Sequence, residues 1–141
     1  MLVTAESCTG GGVAQAVTSI AGSSEWFERG YVTYSNAAKR DDLGVSEALL
    51  RRHGAVSEQA ARAMALGALR RSRGTLAVAV TGIAGPGGGS PAKPVGTVCF
   101  AWANKGRVRT ETRRFRGGRR SVREKSVRHA LAGALRALDA A

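Results

Sequence analysis

The chain has 141 residues, 43% of them hydrophobic, and its 22 lysines and arginines outnumber its 10 acids to leave a formal charge of +12. That length supports one domain, spanning 1–141, with a real core. No apolar run approaches the ~20 residues that a membrane-spanning helix needs, no secretory signal pattern opens the chain, and the only cysteines, Cys8 and Cys99, lack metal or redox spacing. A reducing, cytoplasmic setting is the expectation.

Leu2-Val3-Thr4 reads as a strand, and the glycine-rich stretch Thr4-Ala5-Glu6-Ser7-Cys8-Thr9-Gly10-Gly11-Gly12 turns it into a helix carrying Val13 and Val17. Small residues in such a turn leave amide N–H groups free at a helix N-terminus, where they attract an oxyanion or a phosphate. Taken alone, the same turn equally reads as tight packing. Ala21-Gly22-Ser23-Ser24 breaks the pattern, and Trp26-Phe27 reads as a core or interface anchor. Gly30 leads into a strand over 31–34, rich in aromatic and β-branched residues. Ser35 and Asn36 suit the start of a short helix carrying Lys39.

Ser46 caps a helix through Arg52 that Gly54 ends. Ser57 caps the next, whose apolar residues Ala61, Met64, Ala65, Ala68 and Leu69 fall at helical spacing, with Gly74 closing it. Leu76-Ala77-Val78-Ala79-Val80 is apolar throughout, as a strand covered on both faces should be. It runs into a glycine-rich loop over 81–91, at the strand end where α/β proteins bind ligands. A further strand over 95–103, a turn at 104–106 and a charged edge strand over 107–115 follow. Gly117-Gly118 then breaks the chain before a last helix from about Ser121, with Val127, Ala130, Leu131, Ala134, Leu135 and Leu138 on its buried face.

Charge is uneven: from Lys105 to Arg128, eleven basic residues stand against two acids. That excess suits anionic partners. It also suits an arginine-rich proteome with ordinary solvated faces, and aromatic residues for base stacking are few. Nucleic-acid binding is therefore expected to be weak and nonspecific.

Ala5-Glu6-Ser7-Cys8-Thr9-Gly10-Gly11 resembles the opening signature of the CinA C-terminal domain family. Gly30-Tyr31-Val32-Thr33-Tyr34-Ser35-Asn36-Ala37-Ala38-Lys39, His53-Gly54-Ala55-Val56-Ser57, Thr81-Gly82-Ile83-Ala84-Gly85-Pro86-Gly87-Gly88, Lys93-Pro94-Val95-Gly96-Thr97-Val98 and Phe115-Arg116-Gly117-Gly118 resemble its later blocks, in order. The resemblance implies a three-layer α/β/α sandwich with a mixed, mostly parallel sheet, and the stand-alone form of the family. It implies hydrolysis of nicotinamide mononucleotide to nicotinate mononucleotide and ammonia, with no cofactor or metal.

Carried over by position, the nucleophile falls on Ser7 and its general base on Lys39, with Tyr34 and Thr81 as supporting catalytic groups. Cys8, Thr9, Gly10, Gly82 and Arg120 fall on substrate-binding positions. A serine hydroxyl needs such a base, and a lysine serves only if its pKa is lowered, by a dry pocket or by a neighbouring cation such as Arg120. Amides of the 8–10 turn would hold the tetrahedral oxyanion, worth about 3–4 kcal/mol per donor. Each residue has a plainer reading: Ser7 as a turn residue, Lys39 as a surface lysine, Tyr34 as packing, Thr81 as a strand end, Arg120 as one arginine of several. Cys8 is a rival nucleophile, with His53 or His129 as its only possible partners.

Two departures from the family pattern stand out. The helix that usually precedes the first strand is missing. The usual Gly-Asp-Arg after Phe115 is altered, with Arg119 read in the acid's place. The first departure implies a homo-oligomer in which a neighbouring subunit covers the face near Leu2 and Val3, with Trp26 and Phe27 as further contacts. The alternative function is a catalytically silent basic module that binds nucleic acid or a protein partner.

Overall fold

In the computed structural model, which describes residues 1–104 and 106–140, five strands form one sheet flanked by helices on both faces. Lys105, in the expected turn, lies outside those residues. The elements run β1 (Leu2–Glu6), α1 (Gly12–Thr18), a short 3-10 turn (Ser23–Glu25), β2 (Phe27–Val32), α2 (Asn36–Leu43), α3 (Glu47–His53), α4 (Glu58–Arg70), β3 (Leu76–Gly82), β4 (Thr97–Asn104), β5 (Arg107–Arg114) and α5 (Arg119–Asp139). The strand order is β2-β1-β3-β4-β5. β1 pairs in parallel with β2 and β3, while β4 runs antiparallel to both β3 and β5. Four of the five strands therefore point the same way, and β4 alone is reversed.

Alternation along the strands sorts the core into two halves. Val3, Ala5, Ala77, Ala79, Cys99, Ala101 and Ala103 face α4. Leu2, Val78, Val80, Val98, Phe100 and Trp102 face α1 and α5. The α4 side is built from small residues on both partners: Ala60, Ala61, Ala65 and Ala68 meet the alanines of the sheet. The α5 side carries the bulk, and the Trp102 indole donates to the Ala130 carbonyl of α5 at 2.9 Å. The apolar run 76–80 is buried on both faces as expected.

Differences from the sequence expectations have local causes. β2 lies at 27–32 rather than 31–34, because Gly30 sits inside the strand, where its lack of a Cβ makes room for Thr4. Thr33 and Tyr34 are thereby released into the loop above the sheet. α4 ends at Arg70, with Arg71 as its C-cap, rather than running on to Gly74. α5 starts at Arg119, capped by the backbone of Gly118, and Leu135 and Leu138, expected on its buried face, are 65% and 57% exposed. Val3 is fully buried by its own chain, whereas Leu2 lines an apolar hollow bordered by exposed Met1, Ile20, Trp26, Leu135 and Leu138.

β1 lies second in the order, paired in parallel on either side with β2 and β3. The chain leaves it through α1 on one face to reach β2, then returns across the other face through α2, α3 and α4 to β3. That reversal opens a crevice at the carboxyl edge of β1, the place where open α/β sheets hold ligands.

Candidate active site

Ser7 is the first residue beyond β1, and the same alternation that buries Val3 and Ala5 beneath α4 turns Ser7 toward α2. Its amide continues the sheet by donating to the Val80 carbonyl at 2.9 Å, which fixes the backbone beneath the hydroxyl. On the facing side, the Ser35 hydroxyl caps α2 by accepting from the Ala38 amide at 3.0 Å. Lys39 lies one turn into that helix, and helical side chains lean toward the N-terminus. Its ammonium donates to Ser7 Oγ at 2.9 Å, the Thr33 carbonyl at 2.9 Å and the Tyr34 carbonyl at 3.1 Å.

Lys39 is only 1% exposed, the bulkiest fully buried side chain among the described residues. Burial lowers its pKa from the usual lysine value, and the nearby Cys8 thiol works the other way. Two backbone carbonyls orient the amine without supplying the full negative charge that would lock it as an ammonium. The sequence expectation credited Arg120 with part of this shift. Arg120 is instead a surface residue, 92% exposed at its side chain and paired with Glu124 at 3.0 Å.

The turn after Ser7 is held from both sides of the sheet edge. Glu6, fully buried, accepts from the Thr9 hydroxyl at 2.6 Å and from the Val13 and Ala14 amides at 2.8 and 3.0 Å. It thus supplies the cap that α1 otherwise lacks, its N-cap being Gly11. From α5, Arg123 donates to the Cys8 carbonyl at 3.1 Å and the Thr9 carbonyl at 3.2 Å. Gly10 adopts a left-handed conformation, φ 59°, beside that guanidinium. The Gly10 amide closes the turn on the Ser7 carbonyl at 3.0 Å, and the Cys8 and Thr9 amides make no hydrogen bond among the described residues.

Other expected site residues stand around this pair in different ways. Tyr34 meets Lys39 through its carbonyl, while its ring is 60% exposed and its hydroxyl accepts from Arg119 at 3.1 Å. Thr81 is buried, but its hydroxyl donates to the Ala55 carbonyl at 2.8 Å and so anchors the α3–α4 connection. Gly82 is packed against β4, where a Cβ would lie 2.8 Å from Val98. The Cys8 side chain belongs to the α5-side core, and burial pushes its thiol up to about 12. Neither histidine serves it: His129 packs against Phe100, Trp102 and Phe115, and His53 ends α3. Among the described residues no group of three or more His, Cys, Asp or Glu could hold a metal ion.

Arg119 is the arginine that reaches the site. It donates to the Gly85 carbonyl at 2.8 Å as well as to Tyr34, tying the loops after β2 and β3 to the start of α5. If the altered Gly-Asp-Arg block is placed one residue earlier, Gly118 stands where the acid would be and Arg119 takes the arginine's position. Three residues escaped the sequence reading. Glu6 was visible as an acid just before a helix start. Thr33 acts through its carbonyl, which leaves no side-chain signal, and Arg123 could have been found only as the i+4 companion of Arg119.

A profile of the CinA C-terminal domain matches residues 1–138. The chain belongs to the CinA C-terminal domain family. It is 57% identical over 134 residues to a nicotinamide-nucleotide amidohydrolase PncC of Pseudomonas putida, covering 95% of this chain and 84% of that one. A protein of the same name from Enterobacter agglomerans is 58% identical over 133 residues, covering 94% and 81%. The solved structure of the competence/damage inducible protein CihA from Agrobacterium tumefaciens superposes with a TM-score of 0.95 at 55% identity, over 99% of this chain and 85% of that one. At this similarity the CinA-type sandwich, with Ser7 at the carboxyl edge of β1, is the fold of the described residues.

Proposed function

We propose that the chain, as a single domain over 1–141, is an amidohydrolase that converts nicotinamide mononucleotide to nicotinate mononucleotide and ammonia through an acyl-enzyme on Ser7. The observation that carries the reading is the 2.9 Å contact between Ser7 Oγ and the buried Lys39 amine. Relatives named as nicotinamide-nucleotide amidohydrolases, 57–58% identical to this chain, supply the substrate. Neutral Lys39 takes the Ser7 proton as Oγ attacks the carboxamide carbon. The carbonyl oxygen becomes an oxyanion facing the free amides of Cys8 and Thr9. The lysine ammonium then protonates the amide nitrogen, and ammonia leaves. Water attacks the acyl-enzyme, gives its proton to Lys39, and the acid departs as Ser7 recovers the proton.

The same reading takes Tyr34, Thr81, Gly10 and Gly82 as the walls of the substrate crevice, with Arg119 in the place expected for Arg120. It places the protein in a reducing cytoplasm, which two free cysteines support, and in a homo-oligomer, which the exposed apolar surface around Trp26 and Leu135 supports. No helix among the described residues is long and apolar enough to cross a membrane.

Ammonia release from nicotinamide mononucleotide by the purified protein is the direct test. Ser7→Ala should fall to background while remaining folded, and Cys8→Ala should keep most of the activity. Activity that survives in Ser7→Ala and vanishes in Cys8→Ala would move the nucleophile to the thiol. No ammonia from the wild type would favour a silent binding module.

A further inference from the structure

Two guanidiniums one turn apart on α5 divide the labour at the sheet edge. Arg119 holds side chains and loops, whereas Arg123 holds backbone alone: its Nε and Nη2 reach the carbonyls of Cys8 and Thr9, successive residues of the nucleophile turn. It makes no salt bridge among the described residues, and its hydrogen bonds go to the carbonyls of that turn. In a trans peptide unit the C=O and the following N–H point in opposite directions. A guanidinium that fixes the Cys8 carbonyl therefore fixes the Thr9 amide, aimed away from α5 toward the Ser7 side of the sheet edge. The next unit is fixed likewise, its carbonyl on Arg123 and its Gly10 amide on the Ser7 carbonyl. The Thr9 side chain is pinned separately by buried Glu6. A Cβ at position 10 would lie 3.3 Å from Arg123 Nη2, so glycine there leaves the room the guanidinium uses.

We propose that Arg123 is a positioning residue for the oxyanion: acting through the Cys8 and Thr9 carbonyls, it aims the Thr9 amide at the oxygen of the reacting carbonyl. Its positive charge, placed behind that peptide, also aligns with the dipole that meets the developing negative charge. The inference rests on Ser7 as the nucleophile of the proposed reaction. It needs no contact between Arg123 and the substrate.

The test compares wild type, Arg123→Gln and Arg123→Lys by ammonia release from nicotinamide mononucleotide. In parallel, the rate at which a fluorophosphonate labels Ser7 is read by mass. That reagent bonds phosphorus to Ser7 Oγ, expels fluoride and hands the serine proton to Lys39, so it probes the same donors without the mononucleotide. In Arg123→Gln, kcat should fall roughly 10–100-fold, up to the cost of a misplaced group and below the roughly 10²–10³ that outright loss of a donor costs, while KM stays within about threefold. Labelling should slow in parallel, and Arg123→Lys, able to hold one carbonyl, should lie between. An unchanged kcat, or a raised KM with kcat intact, overturns the assignment. If wild type releases no ammonia, the substrate reading fails and labelling decides: slower labelling of Arg123→Gln upholds the positioning role, and equal rates or an unlabelled wild type overturn it. Should Arg123→Gln not fold, Arg123→Lys decides by the same two rates.

Discussion

Water stabilises an ammonium far better than a protein interior does, so burying a lysine without a carboxylate is costly unless the neutral form is the one being used. Lys39 is such a residue, and its lowered pKa has two consequences with definite signs. Below its folded pKa Lys39 is protonated and cannot take the Ser7 proton, so kcat/KM should rise with pH through a midpoint below the usual 10.5 and level off above that midpoint. Lys39→Arg keeps the charge but cannot deprotonate, and should lose roughly 10²–10⁴ of the rate. An active Lys39→Arg protein would show that charge alone is needed. The second consequence concerns folding. Between the folded pKa of Lys39 and 10.5 the unfolded chain binds more protons than the folded one, so stability rises with pH across that window. Urea midpoints of wild type and Lys39→Met should therefore converge in the direction of a more stable wild type as pH is raised from 7 to 10. A constant difference would mean that the amine is not depressed.

Glycine has opposite meanings in different elements. Gly67 lies inside α4, where alanine would ordinarily gain about 1 kcal/mol of helix propensity. A Cβ there would strike the Leu43 carbonyl of α2, so Gly67→Ala should destabilise by about 1–3 kcal/mol despite that gain. Gly118, the N-cap of α5, has no side-chain cap, and a Cβ there meets open space. Gly118→Asp should add a cap and a favourable charge at the helix start, stabilising by roughly 0.5–1 kcal/mol. Denaturant midpoints check both signs. These two glycines also mark what the sequence could and could not convey. Helix starts at Ser35, Ser46 and Ser57 were legible because a hydroxyl cap is written into the residue type. The uniformly apolar 76–80 strand was legible because both its faces are covered. The start of β2 was not, since Phe27, Glu28 and Arg29 look like a turn until β1 pairs with them. At the site, the Ser7–Lys39 pair came from the family pattern and from the chemistry of a hydroxyl that needs a base. What escaped was the work done by backbone carbonyls at Thr33 and Tyr34, and the choice between adjacent arginines, which a one-residue shift in placing the Gly-Asp-Arg block decides.

Across the whole molecule, charge and apolar surface are segregated. The groove between α1 and α5 carries Arg119, Arg120, Arg123 and Arg128 with Glu124 as its one acid, and β5 adds more arginine along an exposed edge. Charge of this kind attracts nucleic acid only as far as counterion release allows, with steep salt dependence and no sequence preference. At the other end of α1 and α5 lies a different surface. Met1, Ile20, Trp26, Leu135 and Leu138 border an apolar hollow of about 430 Å³ floored by Leu2, Val17, Leu76 and Ala134. Each rim residue is more than a third exposed in the isolated chain, and a contiguous apolar surface of this sort is normally covered or becomes a site of aggregation. A second copy of the chain would bury it while leaving the crevice at the opposite, carboxyl edge of β1 open to substrate. Association driven by apolar burial should persist in high salt, unlike any contact made by the arginine groove. Light scattering on the purified chain should therefore give a mass above that of one chain at both low and high salt. Leu135→Glu, which puts a charge on an already exposed position and removes no core contact, should shift the mass toward a monomer with the unfolding midpoint of the dissociated chain little changed. A monodisperse, soluble monomer of the unaltered chain would show that the hollow is tolerated as free surface, and the homo-oligomer would then be withdrawn.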